Sequence, residues 1–289
     1  MSELRAIKVV ASDLLWVVSG SKHASGIVAF RGAGSEYHYA GTVAEFGEIS
    51  SLWHPFDVTL DGAGNCYVSN QDTDVVARLA VAADLLSATP APIAPGLPSP
   101  GTFLPGTFVA SSNGALPGVA ATTAVATPAG LEVAFDKSCK VAKSVRGVVW
   151  VNGALYVADE VANAVKVYDA DGRYLGASST VPGPVHLLAT EQGGAVVLYV
   201  CNGTSVLSAV LDPAHPEKVH LHPIAGIDVP KVSGLALGAG TDLYAGSRDA
   251  HKPAVFKYKG FPAAPKLDKS FAVADVPEFV LHVLDASGS

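Results

Sequence analysis

The sequence predicts an all-β fold, a six-bladed propeller of four-stranded antiparallel blades, on three observations. The first is a meander signature in residues 144–169, where three short runs, Gly147 to Val151, Leu155 to Ala158 and Ala164 to Tyr168, are separated by turn residues. The runs are rich in β-branched and aromatic residues, which suit a pleated and half-buried surface. Asn152-Gly153, between the first two, tolerates the positive φ of a tight hairpin. The second observation is that this pattern recurs along the chain. The third is composition: 29 Gly and 19 Pro beside 49% apolar residues supply many turns and a sizeable core, and few stretches have helical period.

Taken in order, Asp13 to Gly20 matches the second run of the template, Gly26 to Arg31 the third, and Tyr37 to Ala40 a fourth. No first strand is read ahead of them. His54 to Arg78 is the clearest copy. Looser copies follow at Pro184 to Leu211 and Val232 to Tyr258. Val276 to Gly288 reads as a first strand with its turn, expected to join the N-terminal blade and close the ring. Such closure removes exposed sheet edges.

Aligned first-strand positions Asp57, Gly147, His186, Gly234 and Phe279 are separated by 90, 39, 48 and 45 residues, against a blade period of about 45. The long first gap leaves room for a divergent blade, with possible strands at Gly106 to Ala110, Val119 to Val125 and Gly130 to Phe135. The alternative is five blades and a long insertion. The run Ala88 to Gly101 carries too many prolines for paired strands and is expected to be a loop. The expectation is one domain over residues 1–289, with 81–140 a divergent blade or a Pro/Gly-rich insertion.

The copies resemble the NHL repeat. His54-Pro-Phe-Asp57, Asp61-Gly-Ala-Gly-Asn65, Tyr67-Val-Ser-Asn70 and the strand ending at Arg78 follow its pattern, with Asp57 where the family has Gly. In the template, Arg146-Gly147, Leu155 to Asp159, Asn163, Val165 and Tyr168 match it too. The resemblance covers about two thirds of the chain at the level of the repeat. It implies a propeller, a shape shared with binding scaffolds, calcium-dependent lactonases, strictosidine synthase-like cyclases and amidating lyases. Fold alone does not choose among them.

Net charge of -7 without a basic cluster argues against a nucleic-acid surface. No apolar run is long enough to span a bilayer, and Met1 to Ala6 lacks the pattern of a secretory signal. A soluble, cytoplasmic monomer is the expectation. Cys66, Cys139 and Cys201 form no CxxC pair; Cys66 and Cys201 sit inside strand patterns and read as buried free thiols. No nucleophile elbow, zinc-binding His-Glu-x-x-His or phosphate-binding Gly-rich loop occurs.

First strands line a propeller's central channel. In the lactonase-like relatives the calcium ligands precede the first-strand Gly, and here those positions hold Phe56, Arg146, Val185, Ser233 and Glu278. Calcium takes six to eight oxygens, so this set does not suit it, and no metal or cofactor is expected. Arg146 and Glu278 would orient a polar ligand against Phe56, or else pair with each other and fill the channel. His54, His186, Gln71, Glu160 and Arg248 complete the candidate ligand-binding residues. Asn70, Asp159 and Asn202, at the ends of second strands, read as turn chemistry. His215, His220 and His222 have no zinc-ligand spacing and read as an exposed outer strand.

Three functions remain open at this point. The leading one is a module binding a small molecule or peptide at the axial pocket. The second is an enzyme of lactonase, cyclase or lyase type, with Glu278 as acid/base and Arg146 stabilising negative charge. The third is a protein-interaction scaffold.

Overall fold

In the computed structural model, short apolar runs build five antiparallel blades among the described residues, four of them four-stranded and the second extended by a fifth short strand. The residues described are 3–21, 24–34, 36–45, 52, 54–71, 75–90, 107–109, 121–127, 130–135, 145–170, 174–238, 240–249 and 254–271. Blade one comprises β1 (Leu4–Ala11), β2 (Leu14–Ser19), β3 (Gly26–Ala33) and β4 (Glu36–Glu45). Blade two comprises β5 (Pro55–Leu60), β6 (Asn65–Asn70), β7 (Val75–Val81) and β8 (Ala88–Pro90), and β9 (Thr107–Val109) also pairs with β7. A separate two-stranded sheet joins β10 (Ala121–Thr127) and β11 (Gly130–Phe135).

Blade three comprises β12 (Val145–Val151), β13 (Ala154–Asp159), β14 (Ala164–Tyr168) and β15 (Tyr174–Ala177). Blade four comprises β16 (His186–Gln192), β17 (Ala195–Cys201), β18 (Val206–Val210) and β19 (His222–Pro223). Blade five comprises β20 (Val232–Leu237), β21 (Leu243–Ser247), β22 (Ala254–Lys259) and β23 (Lys266–Leu267). Asn152 and Gly153 take φ of 52° and 75°, so the β12–β13 hairpin is the tight turn expected from their side chains.

Three sequence expectations are corrected. Six blades become five among the described residues: Ala121–Thr127 and Gly130–Phe135 pair only with each other, and Thr107–Val109 joins blade two. The physical reason lies in the side chains. Ala-Thr-Thr-Ala-Val-Ala-Thr offers little large apolar surface to bury, and a blade needs an apolar face to persist as four strands. Second, blade one does not borrow its inner strand. Leu4–Ala11 pairs directly with Leu14–Ser19, while Val276 to Gly288 lies outside the described residues. Third, the start of the proline-rich run is a strand: Ala88–Pro90 pairs with Leu79–Val81. Pro90 stands on an edge strand, where a missing N–H costs no ladder bond.

Large side chains fill the seams between neighbouring blades. Trp16, Ile27, Val58, Val68 and Leu79 pack between blades one and two; Tyr67, Val148, Leu155 and Tyr168 between two and three. Tyr156, Val167, Leu187 and Leu198 fill the third seam, and Tyr199, Val232, Leu243 and Tyr258 the fourth. Phe56, carried by blade two, belongs to that fourth cluster together with Val185 and Val232.

Polar groups stitch the inner strands. Asp57 Oδ2 accepts the Val148 N–H at 3.0 Å, and Thr59 Oγ1 accepts the Trp150 N–H at 3.0 Å. His186 Nδ1 accepts the Leu235 N–H at 3.3 Å. Asp57 and His186 occupy the same place in their repeats, and Val148 and Leu235 likewise. Between blades three and four that place holds Gly147, and the backbones meet directly, Gly147 N–H donating to the Val185 carbonyl at 2.8 Å. Gly147 is required there, because a Cβ would lie 2.8 Å from the Leu187 nitrogen and 2.9 Å from the His186 Cα.

Candidate functional site at the propeller axis

Four of the five inner strands begin with an irregularity that sets one residue apart. Register shifts fall between Leu4 and Ala6, Pro55 and Asp57, Val145 and Val148, and Val232 and Gly234. A bulge re-aims the side chain it carries, which is why bulges recur beside functional sites. The bulged positions hold Arg5, Phe56, Arg146 and Ser233, and Val185 precedes β16 at the matching place in blade four. Blade one therefore contributes Arg5 to the ring, where the sequence reading had assigned Glu278. Glu278 lies outside the described residues, so its expected pairing with Arg146 is not part of this geometry.

Phe56 is the centre of the arrangement. The Arg146 guanidinium carbon stands 5.0 Å from its ring centroid and that of Arg5 stands 5.7 Å away. Attraction between a cation and a partly desolvated ring contributes about 0.5–2 kcal/mol. Phe56 and Arg146 are both buried.

Arg146 is further held by blade three and blade two. Its Nε and Nη2 donate to Glu160 Oε2 at 2.9 and 2.7 Å, and its Nη1 donates to Gln71 Oε1. The other Glu160 oxygen faces Arg248 Nη2 at 3.7 Å. Gln71, Arg146, Glu160 and Arg248 thus form a polar chain reaching across blades two, three and five. Three of these four lie just beyond the ends of β6, β13 and β21, the rim positions expected from the repeat.

A second polar group lies on the blade-one side. Arg5 Nη2 contacts Glu3 Oε1 and lies 2.6 Å from His54 Nε2, which is itself 3.5 Å from Glu3 Oε1. A guanidinium only donates, so His54 Nε2 accepts here and the ring proton sits on Nδ1. His54 has φ of 57°, an uncommon conformation for a residue with a side chain. Gly20 makes room for the pair: a Cβ there would lie 2.8 Å from His54 Cδ2 and 2.9 Å from Arg5 Nε.

The structure therefore brings Phe56, Arg146, Gln71, Glu160, Arg248 and His54 to one end of the inner strands. Ser233 occupies the bulged place of blade five and is half-buried. His186 is different. Its ring accepts the Leu235 N–H and is spent on the seam, and burial lowers its pKa below the usual 6.5, with Lys8 pushing the same way and Asp57 opposing. Two of the three turn residues behave as read: Asp159 Oδ1 accepts the Ala162 N–H, and Asn202 Oδ1 accepts from the Thr204 and Ser205 N–H groups, while Asn70 Nδ2 donates to the Val68 carbonyl of its own strand. Asp159 adds a buried ion pair, its Oδ2 lying 2.9 Å from Lys166 Nζ. His222 is exposed on the outermost strand of blade four, and among the described residues no three His, Cys, Asp or Glu side chains converge on a point.

Arg5 and Glu3 were missed by sequence reading, though a signal exists. Leu4-Arg5-Ala6 aligns with Pro55-Phe56-Asp57 and with Val145-Arg146-Gly147 once Leu4–Ala11 is accepted as an inner strand.

No known family matches the chain, and no curated protein does. Solved structures do. The periplasmic gluconolactonase of Pseudomonas aeruginosa is similar at 18% identity and TM-score 0.54, over 92% of this chain and 70% of that one. A functionally unknown protein from Desulfotomaculum acetoxidans is similar at 11% identity and TM-score 0.55, over 95% and 87%. Virginiamycin B lyase from Staphylococcus aureus is similar at 12% identity and TM-score 0.52, over 92% and 84%. Identities this low establish a shared β-propeller fold. Among the described residues, no helix is long and apolar enough to cross a membrane.

Proposed function

We propose that the chain is an NHL-like propeller that binds a small molecule at the axial end of its inner strands. One observation carries the reading: irregularities at the same place in successive blades bring Arg5, Phe56 and Arg146 together, two cations over one aromatic ring. Ligand sites combine an apolar wall with a few placed polar groups, and Phe56 with Gln71, Arg146, Glu160 and Arg248 supplies that combination. A thermal-shift screen of small polar metabolites tests it. Ligands that raise the melting temperature should lose their effect in Phe56→Ala while that variant keeps its circular dichroism. Ligand effects that survive Phe56→Ala unchanged would place binding elsewhere.

A second reading is an enzyme, and His54 is the observation that favours it. A substrate anion that draws the Arg5 guanidinium away would free the His54 Nε2 lone pair to take a proton from water. The gluconolactonase and lyase among the similar propellers make hydrolysis or elimination the reactions to try first. Hydrolysis of glucono-δ-lactone, followed by alkali uptake, should exceed the spontaneous rate and fall back to it in His54→Gln. A rate equal in wild type and His54→Gln removes the enzyme reading for this reaction.

A further inference from the structure

We infer that the free face of blade one takes the chain's own residues 272–289, which pack on it and fill the seam between blades five and one.

This seam differs from the others. Inner strands of neighbouring blades touch from β1 to β5, β5 to β12, β12 to β16 and β16 to β20, and among the described residues no comparable contact joins β20 to β1. The buried apolar clusters fill the same four seams.

Equivalent residues show the consequence. Val58, Val148, Leu187 and Leu235 each follow the aligned inner-strand position, pack toward the preceding blade and are at most 7% exposed. Ile7 holds that place in blade one and is 63% exposed, with Val9 beyond it at 70%. Ala6 and Val10 pack toward blade two, so alternation along the strand turns Ile7 and Val9 the other way. The face continues across the sheet. Val17 and Leu15 stand opposite Ile7 and Val9, Val28 and Phe30 opposite those, and Tyr39 opposite Phe30. A contiguous apolar face of this kind marks a docking site.

A second series points at the same seam from blade five. Trp16, Tyr67, Tyr156, Tyr199 and Tyr244 hold one place in the second strands, opposite Lys8, Thr59, Val149, Leu188 and Ala236. The first four are fully buried and reach the outer loop of the next blade. Trp16 Nε1 donates to the Leu85 carbonyl at 2.9 Å, and the Tyr67 and Tyr156 hydroxyls donate to the Ala170 and Pro216 carbonyls at 3.4 and 3.3 Å. The Tyr199 ring stands 4.8 Å from that of Phe261. Tyr244 has no next blade among the described residues. Its half-buried ring meets Phe271 instead, at 5.5 Å.

Phe271 points to the occupant. It is the last described residue, it lies on the blade-five side of the seam, and residues 272–289 continue from it. Within them Pro277-Glu278-Phe279-Val280-Leu281 follows the order of Pro55-Phe56-Asp57-Val58-Thr59 in β5, with apolar residues to bury. A segment tethered beside its site meets it at an effective concentration of about a millimolar, which favours it over a second copy of the chain. Blade one keeps its own inner strand; the segment adds a cover to the other side.

Iodoacetamide labelling of the full chain at pH 8, read by peptide mass spectrometry, tests the inference. Val9→Cys and Val210→Cys place thiols at sites 70% and 67% exposed, so neither disturbs the core. Val9→Cys should label about tenfold more slowly than Val210→Cys, because a docked segment must open first. Adding Val280→Asp should raise the Val9→Cys rate to that of Val210→Cys, with circular dichroism unchanged, and the milder Val280→Ala should give an intermediate rate. Equal rates for Val9→Cys and Val210→Cys in the otherwise unaltered chain would overturn the inference, since the face would then be open to water. Protection that survives both Val280 substitutions overturns it as well, and its loss on dilution would identify a second copy as the occupant.

Discussion

Asp57 on β5 accepts the Val148 N–H of β12 at 3.0 Å, joining two blades through a side chain where the next seam uses bare backbone. The same carboxylate accepts the Val58 N–H through Oδ1 at 2.8 Å. The corresponding place in blade three holds Gly147, where the backbones meet directly, whereas Asp57 bridges its seam through a side chain.

Asp57→Ala should therefore cost about 1–3 kcal/mol, the cost of leaving a buried N–H without its acceptor. Asp57→Asn keeps one acceptor oxygen for the Val148 N–H but turns its NH2 toward the Val58 N–H, so it should recover only part of the loss. Urea unfolding of the two variants separates them; equal losses would mean that charge, and not the Val148 bond, matters at this seam.

Gly147→Ala should lower stability by about 1–3 kcal/mol through overpacking against the Leu187 nitrogen and the His186 Cα. Gly234→Ala, at the corresponding place in blade five, meets nothing within 4 Å. It should be neutral or slightly stabilising, because alanine restricts the unfolded chain. Thermal melting of both checks the contrast.

His186 makes stability depend on pH. Burial depresses its pKa below 6.5 in the folded protein, and its Nδ1 must stay unprotonated to accept the Leu235 N–H. A group with a depressed folded pKa contributes stability that is full above its unfolded pKa and is lost as pH falls through the folded one. Melting temperature should thus drop as the pH is lowered from 7.5 through about 6.5 and below. His186→Gln should be less stable at pH 7.5 and flatter across this range. A drop that persists unchanged in His186→Gln would trace to other groups.

The Asp159–Lys166 pair is buried at both ends, with side chains 0% and 2% exposed. Asp159→Ala removes the carboxylate that faces a buried ammonium and should cost about 3–5 kcal/mol. Adding Lys166→Met should recover part of that loss, which a double-mutant cycle of unfolding free energies reads directly.

Cys66 and Cys201 are buried free thiols, and burial pushes both pKa values up to about 12. Neither should react with iodoacetamide in the native protein at pH 8, while both should in urea, as mass spectrometry of tryptic peptides would record. Native labelling of either would show that its blade opens locally.

The repeat was legible because its signals are local. Asn152-Gly153 specifies a hairpin through backbone conformation alone, and the short, near-continuous apolar runs of Leu14–Ser19 and Ala154–Asp159 specify strands buried on both faces. Arg146, Phe56, Gln71, Glu160 and Arg248 were found because repeats superimpose, so their equivalent positions could be compared. Arg5 escaped because Leu-Arg-Ala-Ile-Lys-Val-Val-Ala carries two charges and no turn ahead of it.

The sequence by itself determined the all-β class, the meander of the blades and the turn roles of Asn202 and Asp159, and it marked Phe56, Arg146 and Ser233 as equivalent places in blades two, three and five. Tertiary structure alone decided the rest. Whether residues 121–135 become a blade or a hairpin depends on the apolar surface available to cover them, which no local pattern records. Which partner Arg146 takes depends on three-dimensional reach: Glu160 and Gln71 lie 14 and 75 positions away in sequence, and only the packing of β12 against β5 and β13 brings the Glu160 carboxylate and the Gln71 amide oxygen to one guanidinium.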